Sequence, residues 1–156
     1  MSEVTTVIRE QIEKLGKGRE SLMPILQAIV DKNNYLSNED MVEIAKELDI
    51  SAADVYGTAS FYSFLETEER GKYVIRVCKS ITCDMKGKGK ILSTIEEILK
   101  IKLGETTQNK KFSLLETNCI GLCDQGPAML INDEYYNYLT PEKVRTVLGD
   151  YIRNKN

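Results

Sequence analysis

Tyr73-Val74-Ile75-Arg76-Val77-Cys78-Lys79-Ser80-Ile81-Thr82-Cys83 is the stretch on which the fold turns. Val74, Ile75 and Val77 are β-branched, Tyr73 is aromatic, and Gly71 bounds the run, which predicts a strand. Cys78 closes that strand, and four residues separate it from Cys83. Further on, Ile91, Leu92, Ile95, Ile98 and Leu99 recur at helical spacing, with Gly104 placed to stop the helix. Phe112-Ser113-Leu114-Leu115 reads as a second strand; Cys119 closes it, and three residues separate Cys119 from Cys123. A strand–helix–strand order predicts a parallel pair joined by a crossover. Parallel strands deliver the loops that leave them to one end of the sheet, so the two cysteine pairs are expected side by side.

Downstream, Ala128-Met129-Leu130-Ile131 reads as a third strand, and Asn132-Asp133 turns the chain into a short hairpin partner over residues 135–138. Thr140-Pro141-Glu142 supplies an N-cap, a proline at the first helical position and an acid in the first turn. Val144, Val147, Leu148, Tyr151 and Ile152 complete the last helix.

Upstream, the charged run Glu66-Thr67-Glu68-Glu69-Arg70-Gly71-Lys72 marks a boundary, and before it every periodic stretch is helical. Val4, Ile8, Ile12 and Leu15 form one stripe, ended by Gly16 and Gly18. Leu22, Ile25, Leu26, Ile29 and Val30 form a second after Ser21, with Pro24 in the first turn, where a missing N–H costs little. Ser37 and Asp40 stand at capping-box spacing before Met41, Ile44, Ala45 and Leu48. Ser51 and Asp54 repeat the device before Val55, Ala59 and Tyr62. Helices this short need one another, or a partner, to bury their stripes. The expected fold class is α+β: a helical bundle segment at 1–70, followed by an α/β domain at 71–156.

The chain has 156 residues, 42% hydrophobic and 29% charged, the profile of a soluble globular protein. Its formal net charge of −3 offers no basic excess for a nucleic-acid partner. The start, Met1-Ser2-Glu3-Val4, lacks the basic and apolar regions of a secretory signal, and no apolar run approaches the ~20 residues that insert across a membrane. A cytoplasmic protein is therefore expected. Thiols stay reduced there, so paired cysteines point to metal or redox chemistry rather than to disulfides.

Cys78, Cys83, Cys119 and Cys123 are the only cysteines, and none precedes Cys78. Four soft thiolates meeting at one point suit an iron–sulfur cluster or zinc. Gly121 lies inside the second loop and Gly126-Pro127 just beyond it, which lets the backbone curl closely round a ligand and aim N–H groups at sulfur. Structural zinc more often takes tighter C-x-x-C knuckles, although longer spacings occur. A dithiol oxidoreductase would show C-x-x-C, which is absent. The chain has no histidine, so a Rieske cluster, any histidine-ligated metal and a Cys–His nucleophile are all excluded. No Gly-rich dinucleotide fingerprint follows a strand and no Walker loop is present, so the chain is expected to bind neither NADH nor flavin by itself. It is read as a relay component, with no catalytic residue of its own.

Two longer stretches, Val55-Tyr56-Gly57-Thr58-Ala59-Ser60-Phe61-Tyr62 through Arg76-Val77-Cys78-Lys79-Ser80-Ile81-Thr82-Cys83, and Asn118-Cys119-Ile120-Gly121-Leu122-Cys123-Asp124-Gln125-Gly126-Pro127-Ala128-Met129, closely resemble the thioredoxin-like [2Fe–2S] ferredoxin family. The resemblance runs from about residue 21 to residue 152. It implies a helical N-terminal segment followed by a thioredoxin-like domain, a [2Fe–2S] cluster as cofactor, and Cys78, Cys83, Cys119 and Cys123 as its ligands. Members include the 24-kDa-type subunit of respiratory complex I and the small subunit of NAD-linked soluble hydrogenases and formate dehydrogenases. The implied partners are a flavin- and NADH-binding subunit and other iron–sulfur and catalytic subunits. The wording of Lys79-Ser80-Ile81-Thr82 and of the run from Cys123 to Met129 looks closer to the soluble hydrogenases and formate dehydrogenases, electron-bifurcating or not, than to complex I, and a soluble parent is the expectation. A Cys₄ zinc-stabilised interaction module is the rival from another class.

Other features keep two readings. Lys79, Lys86, Lys88 and Lys90, around the first cysteine loop, either soften a cluster's negative charge or meet an acidic partner, or are ordinary surface. The aromatic segment 55–64 is either a docking face or core. Asp124 either tunes a potential or is a solvated loop acid. Tyr135, Tyr136 and Tyr138 read as hairpin packing.

Overall fold

The helical stripes of the first half close on one another. The structure, a computed structural model, describes residues 3–154, and its chain divides into two units, Met1–Arg70 and Gly71–Asn156. The first unit holds α1 (Glu3–Leu15), α2 (Leu22–Asn33), α3 (Asn38–Leu48) and α4 (Ala52–Phe61), with a 3-10 turn at Arg19–Ser21 before α2. Ile8, Leu22, Ile25, Leu26, Ile29, Ile44 and Val55 make its core, each 3% exposed or less. The capping box at α3 is complete: the Ser37 N–H donates to Asp40 at 2.9 Å, and the Asp40 N–H donates to Ser37 Oγ at 3.1 Å. At α4 only half of it forms. The Asp54 N–H donates to Ser51 Oγ, but the Asp54 carboxylate takes the Ser51 hydroxyl at 2.6 Å instead of the Ser51 N–H. Tyr62 lies past the end of α4 and is exposed, so it does not complete the buried stripe of Val55 and Ala59.

The second unit is a four-stranded mixed sheet flanked by helices. Its elements are β1 (Tyr73–Cys78), α5 (Ile81–Met85), α6 (Lys88–Leu99), β2 (Phe112–Thr117), β3 (Met129–Ile131), β4 (Glu134–Tyr136) and α7 (Pro141–Asn154). The sheet order is β2-β1-β3-β4. β1 and β2 are parallel, paired from Tyr73 opposite Phe112 to Cys78 opposite Thr117. β3 is antiparallel to β1 and to β4. β1 is therefore central, which accounts for its nearly continuous burial. Ile75, Val77, Ile91, Ile95, Leu114, Met129, Ile131, Val144 and Leu148 fill the core. The expected βαβ start, hairpin and final helix are all present, and the class is α+β.

The boundaries differ from expectation where the backbone finds local partners. α6 ends at Leu99, not near Gly104, because Lys100 turns left-handed and donates its N–H to Glu96 O at 2.9 Å. β2 runs on to Thr117, so Cys119 lies beyond the strand rather than at its close. β4 stops at Tyr136, since Tyr138 adopts a positive φ and sends its N–H to Gln125 O at 2.7 Å. Thr140 caps α7 as expected, accepting from the Lys143 N–H at 3.2 Å, but Ile152 stays exposed. Among the described residues no helix is long and apolar enough to cross a membrane.

Candidate functional site

Pairing of Cys78 with Thr117 across the parallel strands sets the loop after β1 beside the loop after β2. The Lys79 N–H donates to Thr117 O at 2.9 Å, and the Cys78 N–H donates to Ala128 O at 3.1 Å, so the strand end is bonded to both sides. Cys78 is 1% exposed. Two residues later Ser80 takes an extended conformation and caps a five-residue helix, α5, its Oγ 3.4 Å from the Cys83 N–H. That helix turns Cys83 inward, 1% exposed, while Ile81 and Met85 face out at 72% and 82%. Sequence reading gives this segment as loop, because it is too short to show an apolar stripe; the cap Ser80 is its one signal.

The second pair is made differently. Cys119 and Cys123 are exposed, with their sulfurs 3.0 Å apart. Between them Gly121 adopts φ +85°, which favours glycine, and aims its N–H at Cys119 Sγ at 3.4 Å. A 3-10 turn over Cys123–Gln125 carries Cys123. The turn is held from outside: Gln125 Oε1 accepts from Asn137 at 2.5 Å, Gln125 O from the Tyr138 N–H, and the Lys86 ammonium donates to Cys123 O at 3.1 Å and Asp124 O at 2.7 Å. Gly126 closes the approach. A Cβ there would stand 3.0 Å from Cys83 Sγ and 3.4 Å from Lys86 Cδ.

The thiols influence one another across the two segments. Burial pushes the Cys78 thiol up, but hydrogen bonds from the Ser80 hydroxyl and N–H, the Cys83 thiol and the Ile120 N–H together hold it below the ordinary value. The Cys123 thiol is held above its ordinary value, first by its hydrogen bond with and closeness to Cys119, then by desolvation and by the neighbouring Cys83 and Cys78. The thiols stand as two pairs, and among the described residues no three or more His, Cys, Asp or Glu side chains close on a position for a single ion. All four cysteines are free.

The surrounding lysines prove unequal. Lys88, half-buried, is engaged with Glu116 at 2.9 Å and Asp84 at 4.0 Å; Lys86 is exposed but tied to the two carbonyls, and Lys79 and Lys90 are exposed. Asp124 is exposed and meets Lys86 through its carbonyl. In the first unit Tyr56, Phe61, Tyr62 and Phe64 are 55%, 79%, 38% and 51% exposed, against the core reading of these aromatics, while Val55, Ala59 and Leu65 are buried. Of the hairpin tyrosines only Tyr136 packs, bonded with Tyr151 and Glu134; Tyr135 and Tyr138 are exposed. Sequence reasoning missed Ser80 as a cap beside Cys78 and the ties made by Lys86 and Glu116.

A family model described as thioredoxin-like [2Fe–2S] ferredoxin matches residues 8–152. The E subunit of NADH-quinone oxidoreductase from Buchnera aphidicola subsp. Acyrthosiphon pisum is 39% identical over 126 residues, covering 81% of this chain and 78% of that protein. The corresponding NADH-quinone oxidoreductase protein of Aquifex aeolicus is 32% identical over 149 residues, covering 96% of this chain and 93% of that protein. Among solved structures, an NAD⁺-reducing [NiFe]-hydrogenase in the air-oxidized state shares the fold, with a TM-score of 0.72 at 23% identity over 81% of this chain. The chain spans 22% of that hydrogenase chain.

Proposed function

The chain belongs to the thioredoxin-like [2Fe–2S] ferredoxin family, and from that premise we propose that it is the one-electron transfer subunit of an NADH-linked oxidoreductase, its cluster held by Cys78, Cys83, Cys119 and Cys123. The cofactor is a [2Fe–2S] cluster. The residues fit it: two pairs of free thiols, one at the end of β1 and in α5 and the other in the neighbouring loop after β2, match a two-iron centre that takes four thiolates. Bound there, the cluster supplies a one-electron couple. The observation that carries the reading is this pairing in the neighbouring segments that follow two parallel strands, within a chain whose family is defined by such a cluster.

The chain's own residues do three things. Cys78 and Cys83 offer thiols from a rigid, buried base. Cys119 and Cys123 offer theirs at the surface, where electron exchange with a second protein is short-ranged. The first 70 residues contribute no thiol; we assign them as a helical segment, 1–70, whose exposed Tyr56, Phe61, Tyr62 and Phe64 dock a flavin- and NADH-binding subunit, and 71–156 as the cluster domain. Other iron–sulfur and catalytic subunits complete the assembly. The relatives named above favour a parent of the NADH-quinone oxidoreductase type. A soluble hydrogenase or formate dehydrogenase, electron-bifurcating or not, is the second reading, supported for the hydrogenase by shared fold.

The test is reconstitution. The isolated loaded chain should not oxidise NADH, and NADH should reduce its centre by one electron per chain only when a flavin-bearing subunit is bound. NADH turnover by the pure chain, or a centre left oxidised in the flavin-containing assembly, would contradict the proposal.

A further inference from the structure

We infer that Lys86 is a positioning residue that fixes the two cysteine segments together and, by its charge, favours the reduced form of the centre; this rests on the cluster reading above. Lys86 is the C-cap of α5, three residues after Cys83, with its N–H on Thr82 O at 3.2 Å. From that anchored base its ammonium reaches the other segment, at Cys123 O and Asp124 O, 3.1 and 2.7 Å away. The same side chain lies against Gly126, where a Cβ would stand 3.4 Å from Lys86 Cδ. One side chain thus touches the segment of each cysteine pair.

The charge argument separates Lys86 from its neighbour. Lys88 faces the carboxylates of Glu116 and Asp84, so its charge is matched locally. The partners of Lys86 are carbonyl oxygens, which accept its hydrogen bonds without cancelling its charge. Reduction adds one electron and no proton, so a centre ligated by thiolates becomes one charge more negative. A cation held beside Cys123, exposed and so partly screened by water, still stabilises that form more than the oxidised one, and net charge is a recognised determinant of such potentials.

The experiment compares full-length wild type with Lys86→Arg, Lys86→Met and Lys86→Gln, all loaded anaerobically, by redox titration followed by the paramagnetic signal and by the rate of iron loss to a ferrous chelator. Lys86→Arg should titrate with wild type. Lys86→Met should be about tenfold harder to reduce, about 59 mV lower for one electron, and should lose iron several-fold faster. A loaded Lys86→Met with the wild-type potential overturns the inference, whatever its rate of iron loss, and so does a Lys86→Arg shifted as far as Lys86→Met. If Lys86→Met does not load, Lys86→Gln is read by the same criterion. If neither uncharged variant loads while Lys86→Arg does, the positioning role is upheld. Wild type that holds no cluster would instead sink the cluster reading, a separate outcome.

Discussion

Cys78 and Cys83 are each 1% exposed, one at the end of a central strand and one inside a helix capped by Ser80, whereas Cys119 and Cys123 lie exposed on a loop shaped by residues borrowed from elsewhere. The first pair is set by local sequence and core packing. The second depends on Lys86, far off in sequence, on Asn137 and Tyr138 beyond β4, and on the open face of Gly126 just past its own turn. The difference teaches that one half of the site is built with the fold, while the other is positioned by contacts that can be removed without dismantling the sheet.

The harshest way to break the comparison is to replace the thiols. Cys83→Ser and Cys119→Ser should both abolish cluster retention, read as iron content after anaerobic loading. They should part company in the iron-free chain. Cys83→Ser places a hydroxyl in a buried thiol's site and should cost about 1–3 kcal/mol in denaturant unfolding. Cys119→Ser, at an exposed position, should stay within about 0.5 kcal/mol of wild type. Equal destabilisation by both would erase the contrast between the pairs.

Gly126→Ala sharpens it. The new methyl would stand 3.0 Å from Cys83 Sγ, so the Cys83 side chain or the second loop must give by a few tenths of an ångström. An overpacked contact of this kind costs about 1–3 kcal/mol, and iron occupancy should fall well below wild type. Gly121→Ala meets no atom within 4 Å, and its cost should be only that of a left-handed alanine, about 1–2 kcal/mol. Iron analysis of the two variants checks the order; Gly126→Ala loading more fully than Gly121→Ala would show that the close approach does not matter.

The smallest effect belongs to the cap. Ser80→Ala removes the acceptor for the Cys83 N–H and the hydroxyl beside Cys78, and should cost about 1 kcal/mol. The loss should appear as faster amide exchange across α5 with the second loop unchanged. Equal acceleration in residues 119–125 would mean that the second loop takes its shape through α5 and its C-cap Lys86, not from Asn137 and Tyr138.

Much of this is legible in the sequence because period and punctuation are local. The β-branched run at Tyr73, the helical spacing from Ile91 and the Thr140-Pro141 start fix element types, and strand–helix–strand order fixes the parallel pair. Ser37 with Asp40 reads correctly because a capping box is closed within four residues. What escapes is either too short or too far apart. α5 spans five residues, below any visible stripe. The partners of Lys86 lie 37 and 38 residues away, so spacing gives no hint of them. Gly104 reads as the stop of α6 because glycine is the usual left-handed residue, yet Lys100 turns first. The aromatic residues near Phe61 fit either reading in sequence, since composition does not distinguish a core stripe from an exposed one.

The most direct test of the central claim is metal analysis of the full-length chain prepared without oxygen. It should be reddish-brown, contain about two irons and two sulfides per chain with little zinc, and give a one-electron paramagnetic signal on reduction. A folded, colourless chain holding stoichiometric zinc under iron-replete conditions would contradict it.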